Sequence, residues 1–95
     1  MIVTYPVIFT ETNDNKNTVL IEVPDLEDAL SEGYGMEDAI YMAKDVIREI
    51  IWDLLDDEEE IPTPTDPEDI DISEGRFFDA GVSQVMEVTV AIDEQ

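Results

Sequence analysis

The chain has 95 residues, with 26 acids set against four bases and a net charge of −22. That length holds one domain, and an apolar content of 43% supports folding rather than disorder. Cysteine and histidine are both absent, which excludes a disulfide framework, a zinc–thiolate centre and the commonest general base. So acidic a surface repels nucleic acid and attracts a basic partner in a salt-dependent way.

Residues 1–10, MIVTYPVIFT, read as a strand in which Val3, Tyr5, Val7 and Phe9 alternate with Ile2, Thr4, Pro6 and Ile8. Apolar groups on both faces imply that one face meets a helix and the other is partly covered. Pro6 has no N–H for a ladder, so an edge strand or a bulge is expected there. The polar stretch 11–17 is a turn, and 18–24 is a second strand closing a long hairpin. A connection follows over 24–35, with a short third strand at Ala29–Gly33. Gly35 is the expected N-cap of a helix, with Glu37 and Asp38 in its first turn.

From Met36 to Leu55 the apolar period is helical. At about 100° per residue, Met36, Ala39, Ile40, Ala43, Val46, Ile47, Ile50, Ile51 and Leu54 share one broad face. Tyr41, Asp45, Arg48 and Trp52 form a narrower line opposite. Five acids, Asp56 to Glu60, oppose the helix dipole and stop the helix. Pro62 and Pro64 enforce an extended path. Asp66 before Pro67, or Thr65 with Glu68, could start one helical turn through Ile70. Residues 73–81 are a loop with two aromatics, and 82–94 form the last strand. Val82, Met86, Val88, Val90 and Ile92 lie on one of its faces, and Ser83, Glu87, Thr89 and Asp93 mark the other. The expected fold is α+β: a small antiparallel sheet of three to four strands with one main helix on one face, in the order β-β-(β)-α-(short α)-β.

Several stretches together resemble the HicB family of antitoxins from type II toxin–antitoxin systems. YPVIF at Tyr5–Phe9 is similar to that family's opening strand, and VLIEVPDL at Val19–Leu26 to its second strand and Pro-Asp-Leu turn. The step Ser31–Gly33, the helix start Met36–Ile47, the exit IPTPTD at Ile61–Asp66 and the closing strand Val85–Asp93 follow in the family's order. The resemblance implies a partial ribonuclease-H-like fold without a nuclease site. It also implies a basic, mRNA-cleaving HicA-like toxin as the partner that this chain neutralises. Two departures stand out. Glu27, Asp28 and Ala29 replace the family's Pro-Gly-Cys. The ribbon-helix-helix or helix-turn-helix segment of many members is not in this sequence, so residues 1–95 are expected to be a single toxin-binding domain that does not itself bind DNA.

Acids are plentiful, but no motif for nucleophilic catalysis surrounds Ser31, Ser73 or Ser83, and the opening strand lacks the acids of a ribonuclease-H metal site. Asp69, Asp71 and Ser73 suggest a calcium loop, yet Glu74 and Ala80 stand where such a loop needs Gly and Glu. No catalytic residue, metal or cofactor is expected. The acids from Asp53 to Glu74 read either as a solvated face or as an electrostatic guide for a basic partner. Tyr41, Asp45, Arg48 and Trp52 carry residue types common at interface hot spots. Alternatively the segment 61–80 covers Trp52 through Phe77 and Phe78, and Asp45 pairs with Arg48 within the helix. The candidate contact set is therefore Tyr41, Asp45, Arg48, Trp52, Asp53, Asp56, Asp57 and Glu58. A homo-oligomer and a cytoplasmic location are also expected, since no apolar run approaches the roughly 20 residues of a membrane span and no leader is visible. The alternative function is an acidic, homo-oligomeric regulator or nucleic-acid mimic directed at a different basic protein.

Overall fold

The computed structural model describes residues 1–93. Strands β1 (Ile2–Glu11), β2 (Thr18–Glu22), β3 (Leu30–Tyr34) and β4 (Val82–Ala91) form one antiparallel sheet in the order β3-β2-β1-β4. The single α-helix, α1 (Met36–Asp56), crosses one face. Three single turns of 3-10 helix, Pro67–Asp69, Ile72–Glu74 and Phe78–Ala80, lie between α1 and β4. The short third strand is present one residue later than its pattern suggests. Glu94, the end of the expected last strand, lies outside the described residues.

Alternation sorts the two faces of the sheet. Tyr5, Val7 and Phe9 of β1, Val19 and Ile21 of β2, and Val88 and Val90 of β4 are buried beneath α1. The helix answers with Ala39, Ala43, Ile47 and Ile51, spaced four apart and all buried. Met36, Ile40, Val46, Ile50 and Leu54 flank that stripe and are only partly buried. The two alanines bring the start of the helix very close to the sheet. A Cβ placed on Gly33 of β3 would stand 2.6 Å from the Ala39 Cα.

Pro6 turns out to sit in an inner strand, which corrects the expectation of an edge or bulge. The reason is local. The N–H of Ile92 donates to the Met1 carbonyl at 2.7 Å, so odd residues of β1 direct their backbone groups at β4 and even residues direct theirs away. On that away side β2 pairs only with Ile8 to Glu11. The nitrogen of Pro6 therefore points where no strand runs, and nothing is lost from the ladder.

The segment after the helix closes this gap. Tyr5 donates its hydroxyl to the Pro62 carbonyl at 2.6 Å. The Asp25 carboxylate accepts from the Thr65 N–H at 2.8 Å and from its hydroxyl at 2.5 Å. The chain then passes to the sheet face opposite α1, where Gly75 lies against Ile8 and Glu22. There the Glu22 carboxylate accepts the Arg76 N–H at 2.9 Å. Pro6, Ile8 and Thr10 are buried by this cover, and Thr10 is satisfied by the Ser83 hydroxyl at 2.6 Å. Residues 66–76 thus serve the back of the sheet, not the outer face of the helix.

Tyr5 makes the strap pH-dependent. Burial first, and the Asp25 charge second, hold its phenol above the ordinary value of 10.0. The fold thus favours the neutral phenol. The stabilisation is complete below pH 10 and disappears as pH climbs through the raised value. Urea midpoints are expected to fall steeply above about pH 10. Tyr5→Phe should remove that component and cost about 1 kcal/mol at neutral pH through the lost hydrogen bond. Parallel pH profiles for the two proteins would rule this out.

Candidate partner-binding surface

The C-terminal end of α1 is where negative charge gathers without an answer. Asp53, Asp56, Asp57, Glu58, Glu59 and Glu60 are all exposed. Among the described residues their carboxylates take part in no hydrogen bond or ion pair, and the one ion pair present joins Arg76 to Asp28 at 4.0 Å on the surface. Such an exposed pair adds little. Asp45 and Arg48, both half-buried, are not joined to each other.

The helix does not simply stop at these acids. The Glu59 N–H donates to the Leu54 carbonyl at 2.8 Å and the Glu58 N–H to the Leu55 carbonyl at 3.1 Å, the paired bonds of a Schellman end. Glu58 fills the left-handed position, with φ 54°. Glycine suits that position, because an L side chain there costs roughly 1–2 kcal/mol. Glu58→Gly is expected to raise stability by about 0.5–1 kcal/mol, the strain relieved less the added freedom of the unfolded chain. A urea midpoint that is unchanged or lower would count against the strain. An acid thus occupies a position where glycine would fold better.

The acids that form one run in sequence form two groups in space. Asp53 to Glu60 project from the helix end. Asp66 to Glu74 lie beyond the Pro62–Pro64 crossing, on the opposite face of the sheet. Part of the second group is used for turns: Asp66 accepts the Glu68 N–H at 3.0 Å, and Asp71 accepts both the Ser73 N–H at 3.0 Å and its hydroxyl at 2.6 Å. Asp14 plays the same part in the β1–β2 turn, where hydrogen bonds from Thr18 lower its pKa. These carboxylates build the fold, whereas those at the helix end do not.

The aromatic line of the helix also divides. Tyr41 is 68% exposed. Trp52 is half-buried against the core, and its indole N–H donates to the Asp93 carbonyl at 2.9 Å. The chain leaving β4 therefore holds Trp52, so the ring is engaged within the chain as the alternative reading had it, through a different segment. Tyr34, missed in the sequence, is 57% exposed between Gly33 and Gly35. Its N–H donates to the Asp38 carboxylate at 2.8 Å, at the start of α1. Two open tyrosines thus stand toward the start of the helix and six unengaged acids at its other end.

No group of three or more potential metal ligands is assembled among the described residues, and no helix there is long and apolar enough to cross a membrane.

Comparison with known proteins points to a family. The family model of the HicB_like antitoxin of bacterial toxin-antitoxin systems matches residues 4–73. No curated protein matches by sequence. Among solved structures, a chain of a toxin–antitoxin complex from Streptococcus pneumoniae is similar at 24% identity and a TM-score of 0.82, over 96% of this chain and 70% of that one. A chain of a HicA3 and HicB3 toxin–antitoxin complex is similar at 22% identity and a TM-score of 0.64, over 97% of this chain and all of that one. The N-terminal domain of the Burkholderia pseudomallei antitoxin HicB is similar at 20% identity and a TM-score of 0.67, over 97% of this chain. At these identities the likeness is one of fold.

Proposed function

The chain belongs to the HicB-like antitoxins of bacterial toxin–antitoxin systems, and from that premise we propose that it neutralises a small basic HicA-type toxin by covering its RNA-binding or catalytic face. It acts by binding and not by catalysis, in the cytoplasm where mRNA is cleaved, and it self-associates. The observation that carries this reading is the helix end. Six exposed acids, Asp53 and Asp56 to Glu60, hold charge that nothing among the described residues neutralises. Placing like charges together costs self-repulsion, and a basic partner relieves it. The carboxylates then stand in for RNA phosphates, and Tyr41, nearer the other end of the helix, supplies aromatic contact.

The test uses the basic protein encoded next to this gene. The two are co-purified, and cleavage of RNA by that protein is measured with and without an excess of this chain. A stable complex with cleavage suppressed is the expected outcome. Free cleavage in the presence of excess chain would overturn the proposal, as would a neighbouring gene without a small basic product.

A further inference from the structure

We propose that the open edge of β4 is where a second copy of this chain docks, pairing β4 to β4 in antiparallel register with Met86 opposite Met86. The inference deepens the self-association in the proposed function and is independent of the toxin contact. It starts from sheet order. The edge strand β3 is only five residues long and has α1 packed against it. The other edge, β4, is ten residues long and pairs with β1 one-to-one from Ala91 to Val82, without a bulge. Soluble proteins blunt such an edge with proline, lysine, a bulge or a cover. β4 carries neither residue.

Backbone direction shows what the edge offers. Ile92 exchanges backbone bonds with Met1, so even-numbered residues of β4 point at β1. Ser83, Val85, Glu87, Thr89 and Ala91 therefore turn their N–H and C=O groups outward. Side chains agree: Val82 is 74% exposed and Met86 also stands open.

Charge selects the occupant. The chain as a whole is 32% charged, yet β4 holds a single ionised side chain, Glu87. A basic partner finds almost no countercharge there and is drawn to the helix end instead. A second copy brings an equally neutral strip, along which two molecules at −22 each can meet. The same residue excludes one register, and the exposed Met86 points to the one beside it. A two-fold axis at Glu87 would place the two carboxylates face to face, which is destabilising. Moving the axis to Met86 sets Glu87 against Val85 and Ser83 against Thr89, and aligns Val82 with Val90. The outward groups then form about eight hydrogen bonds, two from each such pair, and Met86 is covered by its own copy.

Sedimentation of the full chain over a range of salt is the first measurement. The expected species is a dimer that tightens as salt rises, since salt screens the mutual repulsion. Toxin binding should have the opposite salt dependence, which separates the two contacts. Glu87→Pro removes an outward N–H and leaves the ladder to β1 intact. It should weaken the dimer at least tenfold or so, although it also removes repulsive charge. Met86→Cys, in a protein without cysteine, should close a disulfide between copies under mild oxidant, because directly opposed residues of this kind lie about 4.5 Å apart at Cα. Val82→Cys, facing Val90, should cross-link at least about tenfold more slowly. A monomer at every salt concentration would overturn the proposal. So would a dimer indifferent to Glu87→Pro, or one in which Met86→Cys cross-links no faster than Val82→Cys. None of these results touches the RNA-protection assay, so the two readings fail separately.

Discussion

Gly33→Ala is expected to lower stability by about 3 kcal/mol or more, at the upper end of the cost of overpacking. For a domain of this size that corresponds to a fall in Tm of roughly 12–24 °C. The added methyl would stand 2.6 Å from the Ala39 Cα and 2.7 Å from its nitrogen. Both atoms belong to the backbone of α1, so no side chain can rotate out of the way. Relief requires the first turns of the helix to lift from β3. The stripe Ala39, Ala43, Ile47 and Ile51 would then leave the sheet together. Gly35→Ala, two residues on, is the matched comparison. A Cβ there meets nothing within 4 Å, but φ is 85°, so the cost should be only the roughly 1–2 kcal/mol of left-handed backbone. Thermal melts followed by far-ultraviolet circular dichroism distinguish the two. Equal melting temperatures would mean that the helix does not rest closely on β3.

The period of α1 and the alternation of β1, β2 and β4 were legible because each buries one face against the same core, and burial imposes its period on composition. Chain-distant contacts were not. Helical spacing places Trp52 away from the sheet, and nothing local says that the Asp93 carbonyl, 41 residues later, receives its indole. The acids from Asp53 to Glu74 look continuous, yet the Pro62-Thr63-Pro64 path carries the later ones to the other face. Those prolines mark an extended crossing, but not its destination. Asp25 and Thr65 belong to two motifs that resemble the family separately, the Pro-Asp-Leu turn and the Pro-x-Pro exit. In the structure they are the two ends of one hydrogen-bonded clasp. Glu58 was hidden for the opposite reason. A glycine would have announced a left-handed helix end, whereas an acid among acids does not.

Reversing the three acids Asp56, Asp57 and Glu58 to lysine is expected to slow association with the proposed basic toxin by about 10- to 100-fold at low salt, within the range over which electrostatic steering acts. The three reversals move the net charge from −22 to −16, so a slower rate alone would not separate a local effect from a global one. The same change made at Asp66, Glu68 and Asp69 supplies the control. Those acids lie on the far face of the sheet, and one of them caps a turn. If the helix end guides the toxin, the first triple variant should be slowed several-fold more than the second. The two should converge near 1 M salt, where the screening length is about 3 Å. Stopped-flow or surface-plasmon association rates measure this directly. Tyr41→Ala should act on the other rate: its ring is open in the free protein, so truncation leaves the fold intact and shortens the lifetime of the complex. Trp52→Ala is the poorer probe, because it also breaks the bond to Asp93 and loosens the core. Equal slowing by the two triple variants would reduce the role of the helix end to bulk charge. The contact would then have to be sought elsewhere, beginning with Tyr34 and the start of α1.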